Sequence, residues 1–218
     1  MIKMQKLALF KHEIVLASLL ILLFGQLFIP VKWHSFIQPF LFAQTFIAGI
    51  FLFYTQKTWR TLFLLCFSLV LATEVLRIFI EIPLLRSINS LLYIFFFISI
   101  SVETYRQIFN TKKVGLSMII AVFSGFILLC FIASLLFLII ENQTPFSFSN
   151  LGSNEEKFQN INYFSFITAL TIGYGDIVPL TQQAKKAVML VSLLGNFYSV
   201  FVTGTVIGKY INKKSNGE

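Results

Sequence analysis

The most constraining feature of this chain is a succession of long apolar runs with few charges inside them. A helix needs about 20 apolar residues to cross a hydrocarbon core of ~30 Å. By that measure six segments qualify as spans: Ile14–Pro30, Phe36–Thr55, Thr61–Ile80, Leu84–Val102, Val114–Ile140 and Ala187–Gly208. A seventh apolar piece, Tyr163–Leu170, is too short to cross and must stop partway or lie within protein. Composition agrees: 57% of the 218 residues are apolar, 12% are charged and 27 are phenylalanine. A soluble domain has roughly twice that share of charge, about 25%. The sequence therefore predicts an all-α membrane protein. Lys3, Lys6 and Lys11 ahead of the first run resemble the start of a signal peptide. No clear small-residue cleavage site follows, so the run reads as a retained span.

Charge sets the orientation. With the N-terminus inside, the inner face carries eleven basic residues: Lys3, Lys6, Lys11, Lys57, Arg60, Arg106, Lys112, Lys113, Lys209, Lys213 and Lys214. Only Glu13, Glu103 and Glu218 oppose them. The outer face balances at five basic against five acidic residues, which is the asymmetry of the positive-inside rule. Both termini are thus expected in the cytoplasm, with the chain a multi-pass protein of the plasma membrane. The net charge of +8 is accounted for by topology, and nucleic acid is not an expected partner. The inner lysines serve either as topology signals alone or also as contacts to anionic lipids. Glu74 and Arg77, three apart within the third run, form a candidate intramembrane pair that either has a function or fixes packing. Cys66 and Cys130 lie in apolar runs and read as small buried hydrophobes. His12 and His34 have no triad or metal-ligand spacing around them, so no enzyme and no cofactor is expected.

Between the fifth and sixth runs lie a polar, turn-rich stretch, then a short apolar helix, then Thr171-Ile172-Gly173-Tyr174-Gly175-Asp176. Asn154 followed by Glu155 and Glu156 predicts a helix start, with the helix running to about Leu170. The hexapeptide and its setting resemble the potassium channel family, in which a re-entrant pore helix and a filter stand between two spans. That resemblance covers residues 114–210. It implies that the backbone carbonyls of Thr171, Ile172, Gly173 and Tyr174, with Gly175 and the Thr171 hydroxyl, replace the hydration shell of K+, the permeant ion. Gly173 and Gly175 can take positive φ and so break the carbonyl alternation of ordinary extended chain. Four chains complete the oxygen cages, and one such segment per chain implies a homotetramer.

The resemblance also supplies expectations around the hexapeptide. Asp176 supports the filter from behind. Tyr163 stands where many members have a tryptophan, and its hydroxyl can bond Asp176. Ile167 stands where some have a glutamate and can offer no such bond. Phe164 is a further candidate for filter support. Gly195 lies near the usual inner-helix gating glycine and is read either as a hinge or as a packing residue. Gly204 and Gly208 are read as packing residues. Glu155 and Glu156 are candidates for enriching cations at the mouth.

The expected domains are a four-helix membrane region over 1–110 and a pore domain over 111–218. The fourth run has only Arg86 and Arg106 near its ends, so it lacks the arginine array of a voltage sensor. Ten residues follow Gly208, so any ligand gating is expected to use the membrane part, lipids or a separate protein. A weakly voltage-dependent channel, a carrier of the potassium-uptake type and a non-conducting scaffold or regulatory subunit are the competing readings.

Overall fold

The structure is a computed structural model describing residues 10–53, 57–79, 83–110, 116–154, 156–202, 204–205 and 207–208. The side chains of Glu74, Arg77 and Arg86, and all of Glu155, lie outside the described residues. So do most of the inner lysines counted above.

Among the described residues seven α-helices follow one another: α1 (Lys11–Phe24), α2 (His34–Leu52), α3 (Lys57–Phe79), α4 (Pro83–Asn110), α5 (Leu116–Gln143), α6 (Lys157–Ala169) and α7 (Gln182–Phe197). A π-helical turn, Tyr198–Val202, continues α7. Among the described residues there is no sheet, only one isolated bridge between Phe148 and Pro179. Among the described residues three helices are long and apolar enough to cross a bilayer: Ile88–Phe109, Ser117–Gln143 and Gln182–Val202. Phe36–Leu52 and Thr58–Thr73 are shorter apolar helices.

Several boundaries differ from the apolar runs, for local reasons. The first run extends to Pro30, but α1 ends at Phe24 and the chain turns through Gly25. Leu27 N–H bonds the Phe24 carbonyl and Ile29 N–H the Gln26 carbonyl, both turn bonds. At 14 residues α1 is about 21 Å long, and the turns through Ile29 carry the run further. The fourth helix runs past Val102 to Asn110, with Glu103 and Thr104 buried within it. The last helix starts at Gln182 rather than Ala187, where the Thr181 hydroxyl accepts from Ala184 N–H at 3.3 Å. That is an ordinary N-cap, and it places Lys185 and Lys186 in the first turns of α7.

The chain forms two compact units, Met1–Glu103 and Thr104–Glu218. The first has an aromatic core. Phe46 stacks on Phe96 with ring centroids 3.7 Å apart, and Phe42 on Tyr93 at 4.3 Å. Phe53 and Phe63 extend the stack at 4.6 Å. Polar ties cross between its helices: Gln44 Nε2 donates to the Ser18 carbonyl at 2.7 Å, and the Thr73 hydroxyl bonds Asn89 Oδ1. Such bonds hold register where apolar contact alone would let helices slide.

The second unit is built on α5, α6 and α7. Its core gathers Cys130, Ala133, Phe137, Phe148, Ile161, Phe164, Ile167, Ala184, Ala187 and Val191. Behind α6 a buried polar cluster pins it to α5. The Ser134 hydroxyl lies 2.6 Å from that of Ser165 and 2.8 Å from Asn162 Oδ1, and Ser165 also bonds the Cys130 carbonyl at 2.9 Å. These groups satisfy one another with no water needed, which is what makes them tolerable in an apolar core.

Candidate functional site

The site grows from the end of α6. This helix is capped at Leu170, and Thr171, with φ 58°, takes the left-handed conformation. Ile172 N–H bonds the Ile167 carbonyl at 2.8 Å and Thr171 N–H the Thr168 carbonyl at 3.0 Å. Those two bonds around a left-handed residue are a Schellman cap. Glycine usually fills that position; a β-branched threonine there is an outlier held by its surroundings.

The positive φ then recurs at every second residue: Thr171 at 58°, Gly173 at 55° and Gly175 at 81°. Ile172 and Tyr174 between them keep negative φ. An ordinary strand alternates its carbonyls because all its residues share one sign of φ. Reversing the sign at alternate positions turns successive peptide planes the same way, N–H to one side and C=O to the other. Here the N–H side is defined, since both Ile172 and Gly173 N–H point to the Ile167 carbonyl, the second at 3.3 Å. The Thr171 and Ile172 carbonyls, opposite these N–H groups across their peptide planes, therefore face away from α6; the same alternation of φ runs on to Gly175, and the stretch is termed the carbonyl row. Gly173 and Gly175 reach these angles without strain, as their type allows; the third member, Thr171, carries no such signature in the sequence.

Behind the row stands Asp176. The Tyr163 hydroxyl donates to Asp176 Oδ2 at 2.7 Å, joining α6 to the exit of the segment. This bond, with the backbone N–H groups of Ile177 and Asp176, holds the Asp176 carboxyl below its ordinary range against the opposing effect of burial. The same bond, with burial and the Asp176 charge, raises the Tyr163 phenol. Ile167 faces the core instead, 5% exposed, and its carbonyl rather than its side chain serves the segment. Phe164 packs on Phe137 and Phe148 at ring distances of 5.5 and 5.6 Å, in a core that also holds Ile177, the residue after Asp176.

The polar stretch before α6 is ordered by its own bonds. The buried Glu141 carboxylate accepts from Phe146 N–H at 3.0 Å and Phe148 N–H at 3.2 Å. Beyond it, Ser149 N–H bonds the Val178 carbonyl at 3.0 Å and Leu180 N–H the Ser147 carbonyl at 2.8 Å. The helix start differs from the Asn154 expectation. Helical bonding begins at Ser153, whose carbonyl accepts from Lys157 N–H at 2.9 Å, and Glu156 reaches back to Ser153 N–H at 3.0 Å. Glu156 is thereby engaged as a cap.

Gly195 sits inside continuous α7 against the end of α6. A Cβ there would lie 2.8 Å from Ala169 Cα and 2.9 Å from its carbonyl carbon, closer than packing permits. Gly195 is a close-approach residue at the base of the carbonyl row. The irregularity in this helix comes three residues later, in the π turn at Tyr198. The Tyr198 hydroxyl bonds the Val122 carbonyl, and that of Tyr105 bonds the Gly125 carbonyl at 3.1 Å. Among the described residues, leaving out the adjoining helix backbone, nothing lies within 4 Å of a Cβ built on Gly204 or Gly208.

Comparison with known proteins bears on this same region. Residues 125–212 match the family model described as "Ion channel". The matched stretch contains most of α5, all of α6, the carbonyl row and α7. No curated protein and no solved structure matches the chain. Over residues 125–212 the second unit is thus similar to ion-channel domains.

Proposed function

We propose that the chain is a subunit of a homotetrameric, potassium-selective channel in the plasma membrane, with six spans, both termini cytoplasmic and no working voltage sensor. In this reading α5 is the outer helix, α6 the pore helix, Thr171–Gly175 the filter and α7 the inner helix. The observation that carries it is the alternation of φ along Thr171–Gly175 at the end of a helix too short to cross the membrane. A row of carbonyls facing one way offers nothing to a neutral solute but replaces the water shell of a cation stripped of it. One chain supplies one side of such a cage. Tyr174 is 70% exposed, and Met189 and Leu193 on α7 are 64% and 68% exposed, so apolar surface beside the row awaits cover. Further copies of the chain around a shared axis would supply both the cover and the missing oxygens.

Potassium is favoured over sodium because its weaker hydration matches carbonyl ligands in this register. Conduction is passive, and the K+ ion is cargo. Reconstitution into liposomes holding a potassium gradient tests the assignment. A channel gives unitary K+ currents that sodium does not carry. Slow saturating flux would indicate a carrier instead, and no flux at all a scaffold.

A further inference from the structure

Tyr163 is not the only side chain holding Asp176. From the opposite side, Asn150 Nδ2 donates to the Asp176 backbone carbonyl at 2.7 Å. Asn150 itself has φ 53°, a left-handed position that asparagine tolerates better than other side chains. It ends a short run, Ser147–Asn150, bound along its length to the chain leaving the carbonyl row. Besides the two backbone bonds above, the Ser149 hydroxyl accepts from Val178 N–H at 2.9 Å. The base of this run is fixed on α5 through Glu141.

The consequence is a peptide unit held at both ends. The carbonyl of the 176–177 peptide is bonded by Asn150, and its N–H, on Ile177, faces the Asp176 carboxylate that Tyr163 holds. Rotation of this peptide would carry Asp176 away from Tyr163 and release the last carbonyls of the row. Either bond alone leaves one end free to swing.

We propose that Asn150 is a positioning residue for the exit of the carbonyl row, acting with Tyr163 as the second jaw of a clamp on Asp176. The polar stretch between α5 and α6 is then a strap that carries the position of α5 to the outer end of the conduction path. The proposal rests on the channel reading for its functional consequence and on the hydrogen bond alone for its structural one.

Two variants separate the donor from the backbone. N150G removes the donor and relieves the positive φ; N150D removes the donor and keeps the side-chain shape. In the full chain reconstituted in liposomes, both are expected to speed the decay of K+ current by about five-fold at low external K+, the ratio that one typical hydrogen bond supplies. High external K+ should restore the parent rate, because an ion lodged among the carbonyls opposes their rotation, whereas a simple folding defect would lower current amplitude without this K+ dependence. Decay equal to the parent's in both variants overturns the proposal, as does a parent-like N150G beside a fast N150D. Hydrogen–deuterium exchange in detergent gives a readout independent of conduction. The Ile177 and Val178 amides should exchange faster in both variants, and unchanged protection overturns the clamp. A parent that passes no K+ current while its variants lose this protection would sink the channel reading and leave the clamp standing.

Discussion

The Tyr163 hydroxyl and the Asp176 carboxylate meet at 2.7 Å across thirteen residues of sequence, tying the middle of α6 to the chain beyond the carbonyl row. A donor to a carboxylate makes a stronger bond than a neutral pair. Tyr163→Phe deletes the donor and keeps the ring, so K+ current should decay about 3–10-fold faster than the parent's. Macroscopic currents recorded during a sustained voltage step measure this. Decay at the parent rate would show that the bond does not restrain the segment.

The same bond fixes a pH window. Asp176 lies below its ordinary 3.8, so its contribution is fully present above that value and is lost as pH falls through the lowered one. Tyr163 lies above its ordinary 10.0, so the phenol's contribution is complete below that value and is lost as pH rises through the raised one. Between these limits, from about pH 5 to about pH 9 on the outer side, the decay rate should be flat. A mid-range titration of the decay rate, with an inflection near neutrality, would point to a different group.

Gly195 should act through contact rather than flexibility. Gly195→Ala drives a methyl into the backbone of Ala169, and overpacking of this kind costs roughly 1–3 kcal/mol. Thermal unfolding of the detergent-solubilised protein should show the loss. A variant as stable as the parent but altered in open probability would favour the hinge reading.

Tyr198 anchors the π turn that continues α7. Tyr198→Phe removes its bond to the Val122 carbonyl and should destabilise the protein by about 1 kcal/mol. Denaturation of the variant and parent measures that difference directly. Relief from the tether should also let the π turn relax toward α, which a structure of the variant would reveal. An intact π turn in that structure would mean the tether does not hold it.

What the sequence made legible was chemistry with a fixed local pattern. Long apolar runs announce helices, and Gly173 and Gly175 announce positive φ. Tyr163, thirteen residues before Asp176, could be paired with it by its place in a recognised arrangement. Other features had no local signal. Thr171 takes a left-handed conformation that its β-branched side chain disfavours, because the end of α6 demands a cap there. Asn150 meets Asp176 through folding of the polar stretch, and nothing in its neighbours announces that. Helix ends depart from the apolar runs where a cap or turn overrides hydropathy, as at Gly25 and Thr181, and α6 is capped at Ser153, one residue before the Asn154 that its acids suggest. Gly195 was open between two roles until the backbone of Ala169 was seen against it.

The central claim is that the carbonyl row selects K+. The reversal potential of the reconstituted full chain tests it most directly, with K+ on both sides at different concentrations and Na+ replacing the balance. The reversal potential should move by about 59 mV for each tenfold change in the K+ ratio, the one-electron-equivalent value for a single permeant monovalent ion. A reversal potential that stays near zero when K+ is exchanged for Na+ would contradict the account.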